Sequence, residues 1–283
     1  MNVNRRQAMG QIVGLVGVAA GSSLIATTTL AAESCSGDTS IGIGSEGGSD
    51  LGTKLLTYVK LDPMEVAKLA YEGYGRGGCM YGVFDALVKA LAAKGHEDAC
   101  KFAAIPTNLA AYGGGGIAGW GTLCGCLNAA AMAVNVLGGV NRTAVIRSVY
   151  RYYEHTAMPR NDEAFLKAIG APTRTDNAGE LLTADKIGQS VANSILCHTS
   201  VTHWSKASKY GSSHQAKLER CAQLTAEIAY VTTDFLNKSL DNALDAEMVA
   251  EGNAECSGCH SSTKREPDTY IGADVNSQME CQS

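Results

Sequence analysis

Apolar positions recur along this chain at helical spacing. Asp62-Pro63-Met64-Glu65 supplies a cap residue, a proline at the first helical position and a glutamate at the third, which predicts a helix start. Val83, Leu87 and Leu91 share one face of Met80–Lys94, and Gly95 predicts its stop. The same reading predicts a small-residue helix over Cys124–Leu137, ended by Gly138-Gly139, and a helix over Arg142–Thr156 with Ile146, Val149, Tyr150 and Tyr153 in register. A shorter helix, Asp162–Ile169, stops at Gly170. Thr183–Ser205 places Ile187, Val191 and Ile195 in register, and Ser213–Leu244 does so with Leu218, Cys221, Ile228 and Phe235. No convincing alternating strand pattern occurs. The expected fold is mainly α, a helical bundle of about six helices forming one domain over residues 58–250, with an irregular C-terminal arm at 251–283.

Three stretches break the helical pattern. Tyr112-Gly113-Gly114-Gly115-Gly116-Ile117-Ala118-Gly119 suits neither a helix nor a central strand. Residues 33–57 read as a flexible lead-in, because Ser34–Asp50 is rich in Ser and Gly and has no period. The arm is polar and carries Cys256, Cys259, His260 and Cys281.

Residues 1–32 read as a targeting segment. Arg5-Arg6 precedes an uncharged run from Ile12 to Leu30, which small residues close at Ala31-Ala32. The run is only mildly apolar, which argues against a membrane anchor. Adjacent arginines point to a twin-arginine export signal, with a Sec signal as the alternative. A periplasmic protein with no stable membrane anchor after signal cleavage is the expectation.

Composition narrows the class. Apolar residues at 45% and charged residues at 18% of 283 are globular values, and a net charge of −5 without a basic block argues against nucleic acid. Ten cysteines are the informative number. They are many for a cytosolic fold and sparse for a small disulfide scaffold.

Cys256-Ser257-Gly258-Cys259-His260 has the spacing of a covalent haem site. Two thiols two residues apart reach both vinyl groups of one porphyrin edge, and the following His260 lies under the iron as proximal ligand. A zinc knuckle, a redox dithiol and a disulfide are the alternatives; zinc would need a second close pair, and the arm offers only Cys281. A 33-residue polar arm is too short to cover both faces of a porphyrin, so the haem leans on the body, on another haem or on a second subunit, which favours a homodimer. Distal candidates are His96, His155, His198, His203, His214 and the methionines. His198 and His203 gain from lying in one segment with Cys197 and Trp204.

Cys79, Cys124, Cys197 and Cys221 form a second constellation. Two disulfides are one reading, and a four-thiolate site for iron, an iron–sulfur cluster or another soft metal is the other. Cys79 follows Gly73-Tyr74-Gly75-Arg76-Gly77-Gly78, and Cys124 follows the glycine run, settings in which backbone N–H groups can approach sulfur. Cys126 competes as a ligand, and Cys100 reads as a bystander or disulfide partner.

Gly77-Gly78-Cys79, Thr122 to Ala130, Cys197 and Cys221 resemble the redox family with the spaced pattern C, GCAxxG, C, C, departing from it at Cys126 and Ala129. With Leu196 to Trp204 and the haem arm, the chain is similar to the split-Soret cytochromes c over residues 60–283. The resemblance implies a helical homodimer with c-type haems, bis-histidine iron with one axial His donated across the interface, and a cysteine-bound iron site. Carried over, Cys256, Cys259 and His260 match a haem site, and Cys79, Cys124, Cys197 and Cys221 match the iron site. Such cytochromes carry two haems, yet one complete motif is present. Cys281-Gln282-Ser283 repeats the first three residues of another, which suggests a truncated or decayed second site.

The expected function is an exported electron carrier exchanging electrons with redox partner proteins. A thiol/disulfide or substrate-reducing enzyme is the alternative, and a disulfide- or zinc-stabilised structural protein a third. No Ser–His–Asp set, carboxylate pair or phosphate loop stands out.

Overall fold

Asp62 turns the chain into its first long helix: its carboxylate accepts the Met64 N–H at 2.7 Å, and Pro63 occupies the first turn. The computed structural model describes residues 55–245; the targeting segment, the haem motif and Cys281 lie outside the described residues. Just before the helix, Leu56–Thr57 (β1), at the end of the stretch read as lead-in, pairs in parallel with Leu137–Gly138 (β2).

Helix α1 runs Pro63–Ala93 but kinks at Gly77 and Gly78, the latter at φ 80°, a value other residues adopt only under strain. The kink delivers Cys79 to the start of the second stretch. There follow α2 (Ala99–Ala103), a 3-10 turn (Thr107–Gly113), α3 (Gly125–Asn135) and α4 (Arg142–His155). Asn141 caps α4 through the Ala144 N–H at 3.1 Å. Next come β3 (Ala157–Met158), α5 (Glu163–Ile169), α6 (Ala184–Ile187), β4 (Ser190–Val191), α7 (Cys197–Ser208) and α8 (Gln215–Leu240). Strands β3 and β4 pair antiparallel.

The mainly helical fold is as expected; two local readings are corrected. Short two-residue strands do occur among the described residues. The helix expected over Thr183–Ser205 is in fact α6, β4 and α7 in succession. The four-residue spacing of Ile187, Val191 and Ile195 was a false register. Ile187 packs with Leu182, Trp204 and Ala216, while Ile195 joins the main core and Val191 sits on a strand.

The core forms where α1 lies along α8, with α3, α4 and the 3-10 turn against them. Val83, Leu87, Leu91, Leu127, Val134, Val149, Ile228 and Leu236 fill it. A smaller apolar cluster joins Tyr71 of α1, Phe165 and Ile169 of α5, and Ala222 and Ala226 of α8. Among the described residues no helix is long and apolar enough to cross a membrane.

Candidate functional site

Four segments bring cysteines to one end of the α1–α8 pair. Cys79 follows the kink in α1, Cys124 immediately precedes α3, Cys126 lies in its first turn, Cys197 opens α7, and Cys221 sits on α8. The starts of α3 and α7 are tied by backbone hydrogen bonds. The Cys124 N–H donates to Ile195 O at 3.0 Å, the Cys197 N–H to Thr122 O at 2.8 Å, and the His198 N–H to Gly121 O at 2.9 Å. Two of the thiols therefore stand at helix N-termini, where the helix dipole favours the thiolate.

All five sulfurs are free thiols, and all five line one cavity of about 50 Å³ with Tyr74, Gly78, Gly115 and Leu224. Cys79, Cys124, Cys126 and Cys221 are buried; Cys197 is half-buried. A side chain at Gly125 would lie 2.7 Å from Cys79 Sγ and 2.5 Å from Gly113 O, so only glycine lets α3 start this close to the sulfur. Among the described residues, no three His, Cys, Asp or Glu side chains are drawn together at metal-coordinating spacing. The donor chemistry nevertheless fits a soft metal: five sulfurs and no competing carboxylate at the cavity wall.

Charge at this wall is mixed. Hydrogen bonding with the Cys126 thiol lowers the pKa of Cys79 and of Cys124, which compete for its single proton, while backbone N–H groups of Gly115 and Met80 add to the effect at Cys79. The same hydrogen bonding, with burial, pushes Cys126 up, and burial raises Cys197 and Cys221. Lys217, Arg220, Cys221 and Leu224 form one stripe of α8 facing the cavity. Tyr153, fully buried, has no regular hydrogen-bond partner for its hydroxyl, which lies near Cys124 and Ser200.

A second, more open cavity of about 460 Å³ shares Gly115, Cys197 and Lys217 with the first and is lined also by His198, Thr202, Ser205 and Ser212. His198 is exposed there. His203 is half-buried, with Nδ1 3.2 Å from Val191 O. His96 Nε2 lies 3.0 Å from Leu91 O, His214 caps α8 through the Ala216 N–H at 3.0 Å, and His155 ends α4.

Cys79, Cys124, Cys197 and Cys221 thus meet as the sequence suggested, and Cys126 joins them. The reading of these four as two disulfides is set aside, since each is a free thiol. Cys100 is disulfide-bonded. Cys256, Cys259 and His260 lie outside the described residues. Lys217 and Arg220 escaped the sequence reading; the signal was their spacing, four and one residues before Cys221 on a helical stripe.

The family model described as "Putative redox-active protein (C_GCAxxG_C_C)" matches residues 79–235, more than half of the chain and a span that holds all five cavity cysteines. The chain belongs to this family. It is also 29% identical over 263 residues to the split-Soret cytochrome c of Desulfovibrio desulfuricans (strain ATCC 27774 / DSM 6949 / MB), covering 92% of this chain and 86% of that protein. Among solved structures it matches the split-Soret cytochrome c from Desulfovibrio desulfuricans ATCC 27774 that has a novel iron centre. The TM-score is 0.64 at 26% identity, covering 79% of this chain and 87% of that one. The family's spaced cysteines are therefore one cavity in three dimensions.

Proposed function

We propose that this chain is an electron-transfer protein with two kinds of redox centre. The observation that carries the reading is the convergence of five free thiols from four separate segments on one cavity. Cys79, Cys124, Cys197 and Cys221 would hold an iron or iron–sulfur centre, with Cys126 as the competing ligand, and the centre would supply one-electron chemistry. The likeness to a split-Soret cytochrome with an iron centre supports this assignment.

The second centre is a haem c, at least one per subunit, on Cys256 and Cys259 with His260 as proximal ligand. Of the distal candidates, exposed His198 is favoured over half-buried His203. The protein is exported to the periplasm, acts as a homodimer and passes electrons to redox partner proteins.

Protein isolated anaerobically from its native host tests the reading. Absorption of haem c, iron in excess of haem and acid-labile sulfide are expected. Haem iron alone would remove the second centre, and bare polypeptide at Cys256 and Cys259 by mass spectrometry would remove the cytochrome. A thiol enzyme is the second reading, favoured by half-buried Cys197 facing the wider cavity. Rapid alkylation of Cys197 in the native protein would support it, and protection of all five thiols would exclude it.

A further inference from the structure

Arg220 is 1% exposed, yet none of its contacts is with a carboxylate. Its Nη2 donates to Ser200 Oγ at 2.6 Å, its Nη1 stands 3.9 Å from Cys221 Sγ, and its Nε is buried with no partner. The other buried cations among the described residues are treated differently: Lys101 pairs with Asp98 at 2.9 Å, and Arg151 pairs with Glu154. A guanidinium removed from water is costly unless an anion faces it. No carboxylate lines this wall, and the groups there that can carry negative charge are cysteine sulfurs.

We propose that Arg220 is the charge-compensating residue of the cysteine cavity, placed to stabilise the negative charge of the resident centre and to raise its reduction potential. The inference rests on the reading of the cavity as an iron centre and deepens it. Thiolate ligands leave such a centre anionic, and one-electron reduction by the haem or an external one-electron donor adds a further negative charge. No bond to Arg220 forms or breaks; the reduced form gains more from the nearby cation than the oxidised form does. Ser200 of α7 fixes the orientation of the guanidinium. Lys217, one turn earlier on the same stripe, reaches the more open cavity, where water screens it.

The test is redox titration of the non-haem centre in iron-loaded protein, followed by absorption and electron paramagnetic resonance, with the haem potential of each sample as internal reference. Arg220→Gln should move the midpoint to more negative potential and speed the loss of iron to a chelator. Arg220→Lys, which keeps the charge, should stay near the wild type in both. If Arg220→Gln cannot retain iron but Arg220→Lys retains both iron and midpoint, the charge assignment holds. An unchanged midpoint in iron-loaded Arg220→Gln overturns it, as does equal loss of iron from both variants. Wild-type protein without non-haem iron would fail the parent reading first, before any variant is compared.

Discussion

Glu219 and Arg220 are neighbours on α8 and are treated in opposite ways. The Glu219 carboxylate accepts from Tyr71 Oη at 2.7 Å, Gln223 Nε2 at 2.9 Å and Arg174 Nη1 at 3.0 Å, so a fully buried charge is met on every side. Two turns on, Glu227 accepts from Tyr152 Oη and the Arg160 N–H, each at 2.7 Å. Arg220 faces the thiol cavity with Nε unmet and no carboxylate partner. The two carboxylates of α8 are finished for stability, while the guanidinium between them in sequence is left unsatisfied beside five sulfurs. The difference identifies where the fold reserves bonding capacity for a guest.

The satisfied carboxylates and the thiol cavity should therefore separate under mutation. Glu219→Ala, which strands three donors, should cost about 3–5 kcal/mol of stability in urea unfolding, with the iron content of the folded fraction unchanged. Proportional loss of iron would blur the contrast.

The Glu227 carboxyl is next in size. Burial raises its pKa to about 7, against 4.5 for the free group. Because the folded pKa is the higher one, its stabilising contribution is complete below pH 4.5 and is lost as pH rises through about 7. The full swing is roughly 3 kcal/mol. Glu227→Gln should flatten the stability profile across that window, and an unaltered slope would show that the carboxyl titrates normally.

Gly125→Ala strikes the cavity face. Its new methyl would meet Gly113 O and the Met80 backbone N as well as Cys79 Sγ, so stability should fall by about 1–3 kcal/mol. Iron should fall disproportionately, which inverts the pattern expected for Glu219→Ala. The smallest effect is expected from Cys126→Ala. It removes a buried thiol near Thr225 Oγ1, at about 1 kcal/mol, and leaves the iron stoichiometry intact if the other four cysteines are the ligands. Loss of iron in this variant would make Cys126 a ligand.

Local signals made much of this legible in the sequence. Asp62-Pro63 and Asp162 announced helix starts that the structure shows capped, and the glycine-flanked cysteines announced a site. Thr183–Ser205 was misread because three apolar residues kept helical spacing while serving three different neighbours, which no one-dimensional period can reveal. The kink at Gly77-Gly78 and the pairing of the α3 and α7 starts depend on tertiary approach. Arg220 was invisible because a charged residue on a helix normally points to water; here it is buried and donates to Ser200 of α7.

The most direct test of the cysteine cavity as an iron centre is iron and acid-labile sulfide per haem in anaerobically isolated protein, measured beside Cys221→Ser. The wild type should hold iron beyond its haem iron, and Cys221→Ser should lose that excess while keeping its haem. Haem iron alone in the wild type, with all five thiols open to alkylation, would contradict it.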